Sequence, residues 1–291
     1  MIDLHSHTTE SDGTLTPAQL VQAARAANLE ALAITDHDTF AGYDAAAPFA
    51  AEAGLDLVCG IELSVKWNGQ SVHLLGYFLD GAPQKFRRWV AEMLEGREDR
   101  NRRLVRALRT HGIDITLEEV HRRAGPLAGR PHFAALLLEK GYVSNLQQAF
   151  DDYLAEGASC YVQRDEPQFT DAVRWIREHD GISSVAHPGR TWMGREAAAA
   201  QIAKMQPLGL QAIEVWHSDH SFEDMQFFGS LAEAHRMGAT GGSDFHGTNK
   251  PSVTLGTGRE GRLNISREVL DCLRRIIRPA MSDTRYPQTS S

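Results

Sequence analysis

MIDLHSHTTESDGTLTPAQLVQAARAANLEALAITDHD, residues 1–38, is the stretch that decides the fold. Its opening run, Met1–His5, is short, mostly apolar and strand-like. Thr16-Pro17-Ala18-Gln19 then reads as a helix start: Thr16 can cap, Pro17 suits the first helical position and Gln19 completes a capping box. The predicted helix runs to about Asn28. Ala31-Leu-Ala-Ile-Thr35 is a second apolar run, and it ends in Asp36-His37-Asp38. A strand, a helix and a second strand imply a βαβ unit with parallel strands.

Working outward, the rhythm continues. A helix near 42–53 precedes a third strand, Leu55–Glu62, and Ser71–Phe78 reads as a fourth. The pattern predicts parallel strands with helices outside them. It stops between about 83 and 165, where 84–110, 116–124, 131–140 and 145–154 all read as helical. Gly81-Ala-Pro83 and Glu166-Pro167 bracket this stretch, which we read as an inserted helical subdomain. Strands resume with Ile182–Ala186, which ends in His187-Pro-Gly, then Gln211–Trp216, then Ala239–Ser243, which ends in Asp244-Phe-His246. Helices near 195–206, 221–237 and 266–277 separate and follow them, the last capped by Ser266. The division expected is a barrel from 1–80 and 166–280, an insertion from 81–165, and a polar, disordered tail from 281–291.

His5, His7, Asp12, His37, Glu62, His73, His187, Asp244 and His246 are the residues that carry chemistry. Each falls at or just past the end of one of these runs. His5 and His7 are two apart, so on a strand both imidazoles point the same way, and Asp244 and His246 repeat the spacing. Taken singly, His73 could be a hydrogen-bonded core residue and Asp12-Gly13 an ordinary turn. Nine metal-competent side chains at successive strand ends point instead to one polynuclear site at the mouth of a barrel. Mixed imidazole and carboxylate ligands suit Mn, Zn or Fe better than Mg or Ca.

Composition removes several alternatives. The chain has 291 residues, 42% apolar and 23% charged, as a globular protein does. No apolar run approaches the roughly 20 residues of a membrane span. Ligand-type residues begin at position 5, so no cleaved signal peptide is expected. Cys59, Cys160 and Cys272 form no disulfide framework, and Cys59 and Cys272 read as buried thiols. A cytoplasmic location is expected. A net charge of −8 argues against broad nucleic-acid coating. Yet residues 85–109 hold nine Lys or Arg against four acids, and this local excess suggests an anionic ligand.

His5-Ser-His7, Ser11-Asp12-Gly13, Thr35-Asp36-His37, Gly60-Ile-Glu62, Ala186-His187-Pro188 and Gly242-Ser-Asp244-Phe-His246 together resemble the motifs of the PHP (polymerase and histidinol phosphatase) family, over about 1–78 and 182–277. The resemblance implies an α/β fold, a distorted seven-stranded (β/α) barrel, with two to three divalent metal ions and phosphoester hydrolysis. It implies His5, His7, Glu62 and Asp244 as ligands of a first ion. Glu62, His73 and His187 would hold a second, and Asp12, His37 and His246 a third. The helical insertion and the run Glu95-Gly-Arg97-Glu-Asp-Arg100-Asn-Arg-Arg103 most resemble the TrpH-like branch. That branch contains 3′,5′-nucleoside bisphosphate phosphatases and 5′-to-3′ exoribonucleases.

The chemistry expected is in-line attack on phosphorus by a metal-bridging hydroxide, held by Glu62 and Asp244. Neither a Gly-x-Ser-x-Gly elbow nor a P-loop is present, which agrees with direct water attack. For substrate, the residues singled out are Arg100, Asn101, Arg102, Arg103, Arg130, Arg190 and His217. The arginines can grip a second phosphate, and Arg130-Pro131-His132 opens a helix, itself an anion site. Glu98 with Arg102 also fits a plain i,i+4 surface pair. The leading expectation is a Mn-dependent phosphomonoesterase acting on the 3′-phosphate of nucleoside 3′,5′-bisphosphates. Its partner is then a small nucleotide, with no membrane and no obligate protein partner. Alternatives are an exoribonuclease on short 5′-phosphorylated RNA, a histidinol phosphatase, and a non-catalytic metal-binding module.

Overall fold

A computed structural model describes residues 1–124, 128–163, 166–192 and 194–277. The first strand, β1 (Ile2–Asp3), leads to α1 (Pro17–Ala26), which starts as its sequence dictates. Thr16 and Gln19 form a reciprocal capping box, and Leu20, Val21 and Ala24 make the buried face. β2 (Ala31–Ile34) is buried along its whole length, as a strand covered on both faces must be. α2 (Ala41–Ala53) ends at Gly54 in the left-handed conformation. β3 (Asp56–Trp67) and β4 (Gln70–Phe78) complete the first half of the barrel.

The helical stretch follows as α3 (Gln84–Thr110), α4 (Leu117–Ala124), α5 (Arg130–Glu139) and α6 (Leu146–Ala149), which continues as a π-helical turn over Phe150–Leu154. Leu104, Leu108, Ile115, Phe133, Leu137 and Leu154 belong to an apolar cluster of its own. Then come α7 (Phe169–Glu178), β5 (Ile182–Val185), α8 (Pro188–Thr191), α9 (Arg195–Met205), β6 (Ala212–His217), α10 (Phe222–Ala234), β7 (Gly238–Gly242) and α11 (Glu268–Ile277). A small hairpin, β8 (Val253–Thr254) and β9 (Gly258–Arg259), lies between β7 and α11. The tail expected over 281–291 lies outside the described residues. Among the described residues no helix is long and apolar enough to cross a membrane.

The seven strands β1 to β7 pair in sequence order, and the sheet nearly closes into a barrel. Leu4 N–H donates to the Gly241 carbonyl at 3.1 Å and Asp244 N–H to the His5 carbonyl at 2.9 Å, which joins the two edges. The pairs β1/β2, β2/β3, β5/β6 and β6/β7 are parallel, but β4 runs antiparallel to both its neighbours. This corrects the expectation of uniformly parallel strands. The reason is local. Trp67 pairs with Gln70 across a two-residue turn, Asn68-Gly69, with φ of 49° and 82°. Asn-Gly with both residues at positive φ is the signature of a tight hairpin, and it leaves no room for a crossover helix.

The hairpin positions two site residues. His73 lies near the start of β4, not its end, and only the reversed direction brings it to the mouth formed by the other strands' C-terminal ends. Glu62 is mid-strand. It bridges to His37 where β2 has ended, while β3 continues to Trp67. One further expectation fails: Cys272 is exposed, because α11 buries Leu270 and Leu273 on the opposite face.

Candidate metal centre

The structure brings all nine ligand-type residues to one end of the barrel. Glu62 is the hub, buried to 1% exposure. Its Oε1 lies 2.8 Å from His73 Nδ1 and 3.0 Å from His187 Nε2. Its Oε2 lies 3.3 Å from His5 Nε2, 3.2 Å from His7 Nε2 and 3.3 Å from His37 Nδ1. Each oxygen therefore faces its own set of ring nitrogens, as a carboxylate shared between ions would. Asp244 Oδ1 faces His7 Nε2 at 3.4 Å and His5 Nε2 at 3.6 Å. Asp12 sits at the rim, 3.2 Å from His246 Nε2, 3.4 Å from His7 Nδ1 and 3.7 Å from His37 Nε2.

Two of these groups sit on strained backbone. His187 and Asp244 hold φ of 30° and 55°, a region that non-glycine residues enter at a cost of roughly 1–3 kcal/mol when the surroundings enforce it. Each lies just beyond a strand, where the left-handed turn swings its side chain across the mouth.

The donor chemistry fits divalent cations. His7 Nε2 and His37 Nδ1 are buried and make no hydrogen bond, although Glu62 stands close to both. A buried ring nitrogen without a partner is costly, and a metal ion would satisfy both nitrogens. Among the described residues, four sets of donor atoms lie close enough to share an ion: His7, Asp12, His37 and His246; His5, His217 and Asp244; His5, His7 and Glu62; and His37, Glu62 and His73. No thiol is among them, and nitrogen with carboxylate oxygen suits Mn, Fe or Zn.

Electrostatics separates neighbouring imidazoles. Burial outweighs Glu62 and Asp12 at His37 and brings it down to about 3. Burial likewise takes His187 to about 4, against the pull of Glu62. At His7 burial is overcome by Asp244 and Glu62, which lift it to about 9. Burial raises Glu62 and Asp244, but their imidazole neighbours hold both carboxyls well below the usual range. Acids this firmly ionised are ready ligands.

Ring orientation is set by partners that the sequence reading missed. His5 Nδ1 donates to Glu214 Oε1 at 2.7 Å, which leaves Nε2 free to face the centre. Glu214 Oε2 accepts from the His187 backbone N–H at 2.6 Å, so one buried acid in β6 positions two candidate ligands. His246 Nδ1 donates to the Asp244 carbonyl at 2.8 Å with the same effect. A glutamate inside the apolar run Ile213–Trp216 was the available signal.

Predicted substrate residues divide. Arg100 and Arg130 line a cavity of about 220 Å³ together with Lys66, Arg97, Tyr161 and His73. An adjoining hollow of about 160 Å³ shares His73 and Arg97 and reaches Asp12 and His37. The arginine-lined pocket, which also holds Glu166 3.6 Å from Lys66, thus adjoins the ligand cluster, and the start of α5 at Gly129 borders both hollows. Arg97, which was not predicted, is buried in a salt bridge with Asp38 and joins the insertion to the barrel. Arg102 and Arg103 are exposed and pair with Glu98 at 3.4 Å and Asp99 at 3.0 Å, so the structure does not bring them to the pocket. Asn101 is buried and donates to the Ala128 carbonyl at 2.8 Å, supporting the loop before α5. Arg190 is exposed, with Nη1 3.7 Å from Asp244 Oδ2.

His217 is fully buried, behind Asp244. Its Nδ1 accepts from Asp219 N–H at 3.1 Å, so a neutral ring carries its proton on Nε2 and donates to Asp244 Oδ2 at 3.3 Å. Proximity alone groups it with His5 and Asp244 around an ion. The hydrogen-bond pattern favours an orienting role, since a protonated nitrogen cannot ligate. A larger hollow, about 440 Å³, lies near the far end of β4 beside Asp80 and His179, remote from this centre.

The chain is similar in sequence and fold to known proteins. The sequence profile of the PHP domain matches residues 3–181. The chain is 36% identical over 282 residues to the 3′,5′-nucleoside bisphosphate phosphatase of Chromobacterium violaceum, across 96% of this chain and 99% of that protein. It is 32% identical over 244 residues to a 5′-3′ exoribonuclease of Haemophilus influenzae, across 84% of this chain and 89% of that one. A solved structure of an amidohydrolase from Chromobacterium violaceum, with bound sulfate and no metal, superposes with a TM-score of 0.76 at 35% identity, over 93% of this chain and 96% of that chain.

Proposed function

This chain belongs to the PHP domain family, and from that premise we propose that it removes the 3′-phosphate from nucleoside 3′,5′-bisphosphates, such as adenosine 3′,5′-bisphosphate, with Mn as the working metal. At the coarser level it is a metal-dependent phosphoesterase. One observation carries the finer reading: the pocket of Arg97, Arg100, Arg130 and Lys66 adjoins the ligand cluster through His73. A substrate with two phosphates can place one in each.

The protein's own groups account for most of the work. Glu62 and Asp244 with the histidines would hold the ions. When bound, those ions supply an activated water and neutralise charge on the phosphoryl oxygens. Glu214 fixes the orientation of His5 and the backbone of His187. Arg100 and Arg130 bind the phosphate that does not react, and Arg130 is braced by its guanidinium lying 5.7 Å from the Tyr161 ring centre. Holding that second phosphate fixes the other at the metals, which is where binding energy becomes rate. The relative named as a bisphosphate phosphatase supports this reading.

A second reading has its own support. The relatives named exoribonucleases lie at 32–35% identity, and the Arg190 side of the centre is open, with that side chain 53% exposed. There the pocket would take the 5′-phosphate of a short RNA. A digestion time course on 5′-phosphorylated tetranucleotides separates the two. The bisphosphatase reading expects phosphate from the mononucleotide and an intact oligomer, whereas successive mononucleotides would favour the exonuclease.

A further inference from the structure

Asp244 presents its two oxygens to different surroundings. Oδ1 faces His7, His5 and His246 at 3.4, 3.6 and 3.4 Å. Oδ2 faces away from them. It accepts from His217 Nε2, is in direct contact with the Lys250 ammonium, and lies 3.7 Å from Arg190 Nη1. Donors alone meet Oδ2, whereas candidate metal ligands meet Oδ1.

The place of Lys250 is built into the fold. Its backbone N–H donates to the Gly247 carbonyl at 3.1 Å, closing a tight turn after His246. That turn is tied to the loop after β1: Thr248 N–H donates to Thr14 Oγ1 at 2.9 Å, and Asn249 Nδ2 donates to the Asp12 carbonyl at 2.7 Å. Gly247, with φ of 63°, packs so near Thr14 that a Cβ there would come within 2.0 Å of its Oγ1. This turn returns Lys250 onto a residue six positions earlier.

We propose that Lys250 is a positioning residue that confines Asp244 to ligation through one oxygen. The proposal rests on the metal-centre reading above. With Oδ2 bound to an ammonium and to the His217 N–H, Oδ1 alone is available to an ion. A coordination position that a two-oxygen carboxylate would fill would thereby stay available to water or substrate when an ion is bound. The arrangement carries a penalty in metal affinity, since the ammonium competes for the same carboxylate and repels the cation.

Lys250→Met and Lys250→Arg test this, read by calorimetric Mn titration of the metal-stripped proteins, crystal structures loaded with Mn, and turnover of p-nitrophenyl phosphate at saturating Mn. Lys250→Met is expected to bind Mn at least about threefold more tightly, to show both Asp244 oxygens on the ion, and to turn over at least about tenfold more slowly. Lys250→Arg is expected to restore one-oxygen ligation and the weaker binding. Unchanged or weaker Mn binding in Lys250→Met overturns the proposal, as does one-oxygen ligation in its crystal structure. Tighter binding with unchanged turnover overturns it too. If the wild-type protein binds Mn yet hydrolyses no phosphoester, the functional reading fails alone, because affinity and ligation geometry still decide the role of Lys250.

Discussion

His5 and Glu214 lie 209 residues apart in sequence, and their side chains meet in a buried 2.7 Å hydrogen bond. The bond ties β1 to β6 beneath the metal centre and fixes which imidazole nitrogen points outward. Removing the charge by Glu214→Gln should weaken Mn binding by roughly 10- to 100-fold, the usual effect of losing a buried partner of a ligating histidine. Equilibrium dialysis measures this directly. Unaltered Mn affinity would mean that the tautomer of His5 is set by something else.

The arginine pocket predicts a selective loss. Arg100→Met should reduce kcat/KM for a 3′,5′-bisphosphate by about 1.5–3 kcal/mol, roughly 10- to 150-fold, the range for hydrogen bonds to a charged group. Hydrolysis of p-nitrophenyl phosphate, which has one phosphate, should change little. Arg102→Ala and Arg103→Ala should be neutral with both substrates. Equal losses on both substrates in Arg100→Met would place that residue in the metal centre's support instead.

Closure of the barrel depends on a missing side chain. A Cβ at Gly242 would lie 2.2 Å from the backbone nitrogen of His5. Gly242→Ala must therefore push β7 from β1 and pull Asp244 away from His5 and His7. Loss of Mn binding together with a lower melting temperature is expected. Wild-type Mn affinity in this variant would contradict the close β1–β7 approach.

The insertion carries a pH-dependent cap. Thr116 N–H donates to Glu119 Oε2 at 2.8 Å, and Lys140 Nζ lies 2.7 Å from Glu119 Oε1. Lys140 and Thr116 hold the Glu119 carboxyl down to about 2. A depressed acid stabilises the fold above its ordinary value near 4.5 and loses that contribution as pH falls toward 2. Glu119→Gln should cost about 0.5–1 kcal/mol at pH 7, in the range for an exposed cap and ion pair. The difference from wild type should shrink below pH 4.5. A carboxyl NMR titration of Glu119 with its midpoint near 4.5 would contradict this.

Much of this was readable from local patterns, because the ligands sit at strand ends where short apolar runs announce themselves. What escaped depended on direction and phase. Asn68-Gly69 carried the hairpin signal, yet the preceding βα rhythm suggested another parallel strand, so the reversal of β4 was not read. On α3, charge alone did not separate Arg97 and Arg100 from Arg102 and Arg103. The buried positions Arg97, Arg100, Asn101, Leu104 and Leu108 do, since they follow the helical repeat while Arg102 and Arg103 fall on the exposed face. Glu214 and Lys250 act through contacts between distant segments, and no motif marks them.

The central claim is that one phosphate is hydrolysed at the metals while the other is held by the arginines. The direct measurement is product identity from adenosine 3′,5′-bisphosphate, using protein stripped of metal and reloaded with Mn. The account predicts phosphate and adenosine 5′-monophosphate in equal amounts, abolished by chelator and by Asp244→Ala. Release of adenosine 3′-monophosphate, or no phosphate from Mn-loaded protein, would contradict it.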